Sequence, residues 1–213
     1  MKKNTNQKGF TLIELLVVIA IIAILAVVVV LTLNPAELLR QARDSNRVSD
    51  FATLKSALSL YATDVSTTTT MFGGGSPVGT YRLYPSDMAA TSPATTTLAA
   101  YTSTSTVGSW GFLGPGELAP SAADHTGRGI DGNGWIPVNL NAISSGAPIA
   151  TLPVDPTNSG QQAYIYAATS TTFKLATQME SIKYKNGGSG DVQTNDGGNT
   201  IYAYEQGTNL IGL

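Results

Sequence analysis

Seventeen consecutive apolar residues, Leu15 to Leu31, constrain this chain more than any other feature. The tract extends from Phe10 to Leu33, with Thr11, Glu14 and Thr32 as its only polar members. At about 1.5 Å per residue it makes a helix of about 36 Å, enough to cross a bilayer core of about 30 Å. A cleavable secretory signal has a shorter core, roughly 7–15 residues, followed by an A-x-A-like site. Here Ala20, Ala23 and Ala26 fall three apart, so no A-x-A is present. Only 12% of the 213 residues are charged and mean hydropathy is +0.06, so the apolar weight lies in this tract while the remainder is rich in Thr, Ser, Gly, Ala and Asn. A freely soluble cytoplasmic domain is not expected. The absence of cysteine excludes disulfides, thiol catalysis, Cys-ligated zinc and a lipoprotein anchor. A net charge of −2 argues against a nucleic-acid partner.

Glu14 is the anomaly. An unpaired charge in a bilayer costs at least ~2.5–3.5 kcal/mol, so a partner is expected, and none lies within the tract. The nearest bases are Lys2, Lys3 and Lys8. Cleavage at Gly9 would place a new amino terminus at Phe10, one helical turn before Glu14. Opposite charges four apart on a helix can meet, and an amine on a neighbouring helix would serve equally.

Lys8-Gly9-Phe10-Thr11-Leu12-Ile13-Glu14 and the apolar run after it resemble the type IV prepilin signature, shared by type IV pilins and the pseudopilins of type II secretion. The resemblance implies cleavage between Gly9 and Phe10 by a membrane-embedded prepilin peptidase and N-methylation of Phe10. It also implies that Glu14 faces the terminal amine of an adjacent subunit during assembly. Lys2, Lys3 and Lys8 on one side of the tract are matched by Arg40, Arg43 and Arg47 on the other, so a Lys/Arg count does not orient it. The cytoplasmic leader is an implication of the resemblance.

Beyond the tract, Asn34-Pro35 interrupts the helical pattern. Proline at 35 cannot donate to the carbonyl of Leu31, which predicts a kink or local break; a plain helix boundary at the membrane exit explains it equally well. Helical spacing resumes from Ala36, with Phe51, Leu54, Leu58, Tyr61 and Val65 forming one apolar stripe. Arg40, Arg43, Asp44, Arg47, Asp50 and Lys55 are expected on the opposite, solvated face, available for ion pairs between packed subunits. Ala42-Arg43-Asp44-Ser45 through Leu58-Ser59-Leu60-Tyr61 also resembles pseudopilin-like proteins, as does Leu152-Pro153-Val154-Asp155-Pro156, less specifically.

From Ser66 to Pro120 the Thr, Ser, Gly, Ala and Pro content predicts irregular connection with one short strand at Tyr81–Tyr84. Trp135–Leu140 contains Pro137 and is expected to be an edge strand at most. Ala163–Ala168 and Thr172–Met179 flank Thr169-Ser170-Thr171 as the clearest hairpin, with period-two spacing of Phe173, Leu175, Thr177 and Met179, and Ile201–Glu205 is the expected last strand. The expected fold class is α+β: a long amino-terminal helix, membrane-spanning in its first half, packed on a small antiparallel sheet in the pilin-like manner. The expected segments are a leader at 1–9, a membrane or filament-core helix at 10–33, an amphipathic continuation at 34–65, and a loop region with a sheet domain at 66–213.

Signals of chemistry are few. Gly127-Arg128-Gly129-Ile130-Asp131-Gly132 fits G-x-G-x-x-G, but strand character is missing before it and a helix after it, so a glycine-rich turn is favoured over a dinucleotide site. His125, the only histidine, has no G-x-S-x-G elbow to work with. Asp131-Gly132-Asn133 and the stretch Asp191–Asn199, with Asn195 and Asp196, carry hard oxygen ligands of the kind calcium loops use. The second misses the EF-hand pattern at Gln193 and Asp196, and turn chemistry accounts for both. No catalytic residue, metal ligand or cofactor is assigned, and an enzyme is not expected. Two functions remain open. One is a structural subunit of an extracytoplasmic helical filament, either a type II secretion pseudopilus or a type IV pilus. Its partners would be prepilin peptidase, copies of itself and other (pseudo)pilins, an inner-membrane assembly platform and the lipid bilayer. The other is a membrane-anchored, low-abundance surface binding module or minor tip pilin acting as adhesin or sensor.

Overall fold

The computed structural model describes residues 9–65, 71–72, 127–158, 162–169, 171–198 and 200–210, and the backbone of 82–85. Lys2, Lys3 and Lys8 of the expected leader, most of the expected 66–120 connection, and His125 lie outside the described residues. The chain divides into two compact units, Met1–Leu39 and Arg40–Leu213.

The first unit is dominated by α1, Leu12–Leu33. Its aliphatic run supplies no competing polar group, and its one late hydroxyl, Thr32 Oγ1, donates back to the carbonyls of Val28 and Val29 at 3.0 Å. A helix thus satisfies every internal polar group of this stretch, which is the condition for a spanning segment. Asn34 ends α1 in the left-handed region, at φ 40°. A second helix, α2, runs Pro35–Asp64. Pro35 is its first residue, where a missing N–H costs nothing. The Asn34 carbonyl and side chain both accept from Glu37 N, at 3.0 and 3.4 Å. The interruption is therefore centred on Asn34, between two helices.

In the second unit, α2 carries the expected stripe: Phe51, Leu54, Leu58 and Tyr61 are buried, with Val65 half-buried against the same core. The sheet has four antiparallel strands in the order β1 (Arg82–Pro85), β2 (Ile165–Ala168), β3 (Phe173–Thr177), β4 (Tyr204–Gly207). The β2–β3 hairpin pairs Ile165 with Ala176 and Ala168 with Phe173. Thr169 Oγ1 caps its turn by accepting from the amides of Thr171 and Thr172. Phe51 joins helix to sheet region, edge-on to the ring of Tyr164 at 5.0 Å and stacked on that of Tyr204 at 5.7 Å. The fold is α+β, as the pattern of periodicities predicts.

Three expectations change. Trp135–Leu140 forms no strand: one isolated bridge, Asp131–Asn139, precedes a 3-10 turn at Leu140–Ala142. Its apolar residues Trp135, Ile136, Val138 and Leu140 enter the core all the same, with Trp135 Nε1 donating to the Pro153 carbonyl at 3.0 Å. The last strand begins at Tyr204 rather than Ile201, because the backbone at Tyr202 is spent on loop contacts with Thr200 Oγ1 and Gln193 Nε2. Third, β3 is buried at every position, Lys174 included, so its period-two spacing does not divide a wet face from a dry one.

Candidate functional site

Gly9 and Phe10 precede α1 and are exposed, Phe10 by 92%. A Cβ at Gly9 would meet nothing within 4 Å, so the fold itself places no demand for glycine there. Thr11 is the N-cap of α1. Its backbone N–H and its hydroxyl converge on Glu14 Oε2 at 2.8 and 2.7 Å, while Glu14 N donates to Thr11 Oγ1 at 3.3 Å. This is a capping box, satisfying the first orphan amides of the helix reciprocally. Glu14, the only charged residue of α1, thus has an internal partner within its own chain. Thr11 is a partner of Glu14 that a search for opposite charges does not reveal. The T-x-x-E spacing just before an apolar run was the available signal.

The window Leu12–Val30 is long and apolar enough to cross a membrane, and none of it is buried within the chain. Residues 4–30 match the prokaryotic N-terminal methylation motif. The chain carries a type IV prepilin-like signal. That motif supports a pilin- or pseudopilin-like protein and, in general, implies processing by a prepilin peptidase. The signal and its apolar helix indicate membrane anchoring. No curated protein and no solved structure matches the chain significantly.

The second unit holds a buried charge cluster where a solvated face was expected. Asp44 and Arg47 are both 0% exposed. Arg47 gives Nη1 to Asp44 Oδ1 at 2.7 Å, Nε and Nη2 to the two oxygens of Asp155 at 2.7 and 2.8 Å, and Nη2 also to Glu180 Oε1 at 2.5 Å. Asp44 in turn accepts the amides of Glu180 and Ser181. Arg43 reaches Glu180 from the rim. Burial weakens the Arg47 cation, but hydrogen bonds to Asp155 and the other carboxylates outweigh it and raise its proton affinity. Hydrogen bonds from Arg43, then Arg47, pull the Glu180 carboxyl down to about 2. Lys55 and Asp50 also leave the solvated-face reading, pairing with Gln206 and with the Tyr164 hydroxyl. Every acid in the cluster is engaged by fixed donors, so the arrangement clamps helix α2 to the segments around Asp155 and Glu180 and offers no free base.

The oxygen-rich loops are donor-facing as well. Asp131 accepts from Asn133 N and Nδ2. Asp191 accepts from Gly187 N, Gln193 N, Thr194 N and the Thr194 hydroxyl, which hold its carboxyl down to about 2. Among the described residues no group of three His, Cys, Asp or Glu gathers for a metal. Gly127 and Gly132, at φ 99° and 94°, make the glycine-rich segment a turn.

Proposed function

We propose that this chain is a structural subunit of an extracytoplasmic helical filament, a type II secretion pseudopilus or a type IV pilus, and that its work is assembly. The observation that carries the proposal is the continuity of the prepilin-like signal at 4–30 with α1, an apolar helix whose only charge is Glu14. In this reading residues 1–9 are a cytoplasmic leader, cut between Gly9 and Phe10, and Phe10 becomes the N-methylated terminus. Residues 10–33 wait in the inner membrane as a single pass. An assembly platform then lifts them into a bundle of like helices. Residues 34–65 continue the helix after the break at Asn34-Pro35, and 66–213 form the outward domain. Apolar burial is similar in lipid and in the bundle, which keeps extraction feasible. Glu14 pairs with a neighbour's terminal amine and sets register, as a single buried polar group does in a coiled coil.

The two Thr11 donors bear on how this pairing begins. They hold the Glu14 carboxylate in a lone subunit, so it is not bare in lipid before a neighbour arrives. Mass spectrometry of the protein from its native membrane tests the reading: a chain beginning at methylated Phe10, found in abundance in sheared or purified filaments, is expected. An intact Met1 terminus in the presence of active peptidase overturns it. A processed but scarce, non-polymeric chain supports the surface binding module or minor tip pilin instead.

A further inference from the structure

We propose that Lys174 and Glu205 condense to an intramolecular amide that staples β3 to β4. Lys174 pairs with Gly207 in the ladder and Glu205 with Ala176, so the two side chains stand two positions apart on one face of adjacent strands. That diagonal brings long side chains together. Lys174 Nζ lies 2.8 Å from Glu205 Oε1, and both side chains are 0% exposed. At that distance Oε1 still has no hydrogen bond of acceptable geometry, so the amine meets the carboxyl off the usual donor direction. The other oxygen, Oε2, accepts Thr200 N at 3.3 Å and lies against Gly198, where a Cβ would overlap it. The carboxyl carbon is thus flanked by a nucleophile at one oxygen and an N–H donor at the other. Reacting groups held about 3–3.5 Å apart, with a donor aimed where negative charge develops, are the two parts an acyl transfer needs.

Asp196 holds the backbone at Glu205 and Gly198. Its Oδ2 accepts Glu205 N at 2.6 Å and its Oδ1 accepts Gly198 N at 2.7 Å, which fixes the backbone that carries the Glu205 carboxyl. Burial pushes this carboxyl up, so it holds a proton more readily than an exposed aspartate. The step balances without any co-reactant. A proton passes from the Lys174 ammonium to the Glu205 carboxylate, and the free Nζ forms a bond to Cδ. A proton then leaves the nitrogen for a hydroxyl on Cδ. The C–O bond breaks and one water departs. Amine plus acid becomes amide plus water. The product also removes two buried charges, whose desolvation an ion pair offsets only in part. In a chain without cysteine it closes the segment between β3 and β4 as a disulfide would.

Tryptic digestion and tandem mass spectrometry of the purified full-length or processed protein test this directly. The expected result is a branched peptide joining the Lys174 and Glu205 segments, one water lighter than its two linear parts, with no cleavage after Lys174. Lys174→Arg retains a buried cation for Glu205 but no amine, and is expected to give the linear peptides and a lower unfolding temperature. Linear wild-type peptides cut after Lys174 overturn the proposal and leave an ion pair alone. Equal loss of water in Lys174→Arg also overturns it, by placing any cross-link elsewhere.

Discussion

Arg47 Nε donates to Asp155 Oδ2 at 2.7 Å across 108 residues of sequence, and neither side chain reaches solvent. The contact ties the middle of α2 to the segment Leu152–Pro156, so two stretches that separately resemble pseudopilin-like proteins meet at one ion pair. Removing one member of such a pair leaves the other charge buried and uncompensated.

Arg47→Leu is therefore expected to destabilise the second unit by ~3–5 kcal/mol, a large part of the ~5–15 kcal/mol that holds a domain together. Arg43→Leu, at the half-exposed rim of the same cluster, should cost much less. Thermal or denaturant unfolding of the two variants measures the difference. Equal losses would show that burial of the guanidinium is not what matters.

Glu180 gives the cluster a signature in acid. Its folded value, about 2, lies below its ordinary value of 4.5. A depressed carboxylate contributes stability that is fully present above the unfolded value and is lost as pH falls through the folded one. Stability should thus decline between pH 4.5 and about 2. Asp50, raised by burial, acts with the opposite sign. Glu180→Gln should be less stable at neutral pH and converge on the wild type toward pH 2. Parallel pH profiles for the two proteins would remove Glu180 from the acid response.

The stripe on α2 predicts how far the second unit can be trimmed. A fragment starting at Ala36 keeps Phe51, Leu54 and Leu58, whose burial is worth ~1.5–3 kcal/mol each. A fragment starting at Ser66 loses them. The first is expected to unfold cooperatively on heating and the second to show no transition. A cooperative transition in the shorter fragment would refute the packing of sheet on helix.

The periodicities of this sequence speak clearly about neighbours and poorly about distant partners. Phe51, Leu54, Leu58 and Tyr61 recur at helical steps, and the hairpin across Thr169–Thr172 sits between two strand-like runs, so both were legible. Asp44 and Arg47 belong to the same helical stripe, three and four residues apart from its next members, yet their charge placed them on the wet face. Phase was the better guide than residue type. Their partners Asp155 and Glu180 come from distant loops, which no local pattern announces. Lys174 was hidden for the same reason: only the ladder brings Glu205 beside it. At the amino terminus, the signal at 4–30 is readable because its residues are contiguous, whereas Thr11 carries no charge and so is not marked as a partner of Glu14 by charge pairing.

Glu14 is expected to matter for assembly and not for membrane insertion. Glu14→Leu leaves α1 without a charge, so insertion should be at least as good as in the wild type. Two things are lost with the carboxylate. One is the capping box with Thr11, worth ~0.5–2 kcal/mol to the helix start. The other, in the proposed filament, is the partner for a neighbour's amine, whose loss would leave a charge unpaired in an apolar bundle at a cost of several kcal/mol per subunit, on the order of the ~3–5 kcal/mol of a broken buried pair. Thr11→Val separates them, because it removes the hydroxyl of the cap and keeps the carboxylate. Glu14→Leu should stay in the membrane fraction and yield no filaments by shearing or electron microscopy, while Thr11→Val should still polymerise, with fewer or shorter filaments. Filament growth repeats the interface at every added subunit, so the larger penalty abolishes polymers where the smaller one only thins them. Normal filaments built wholly from Glu14→Leu subunits would remove the pairing role and leave Glu14 a determinant of peptidase recognition or methylation.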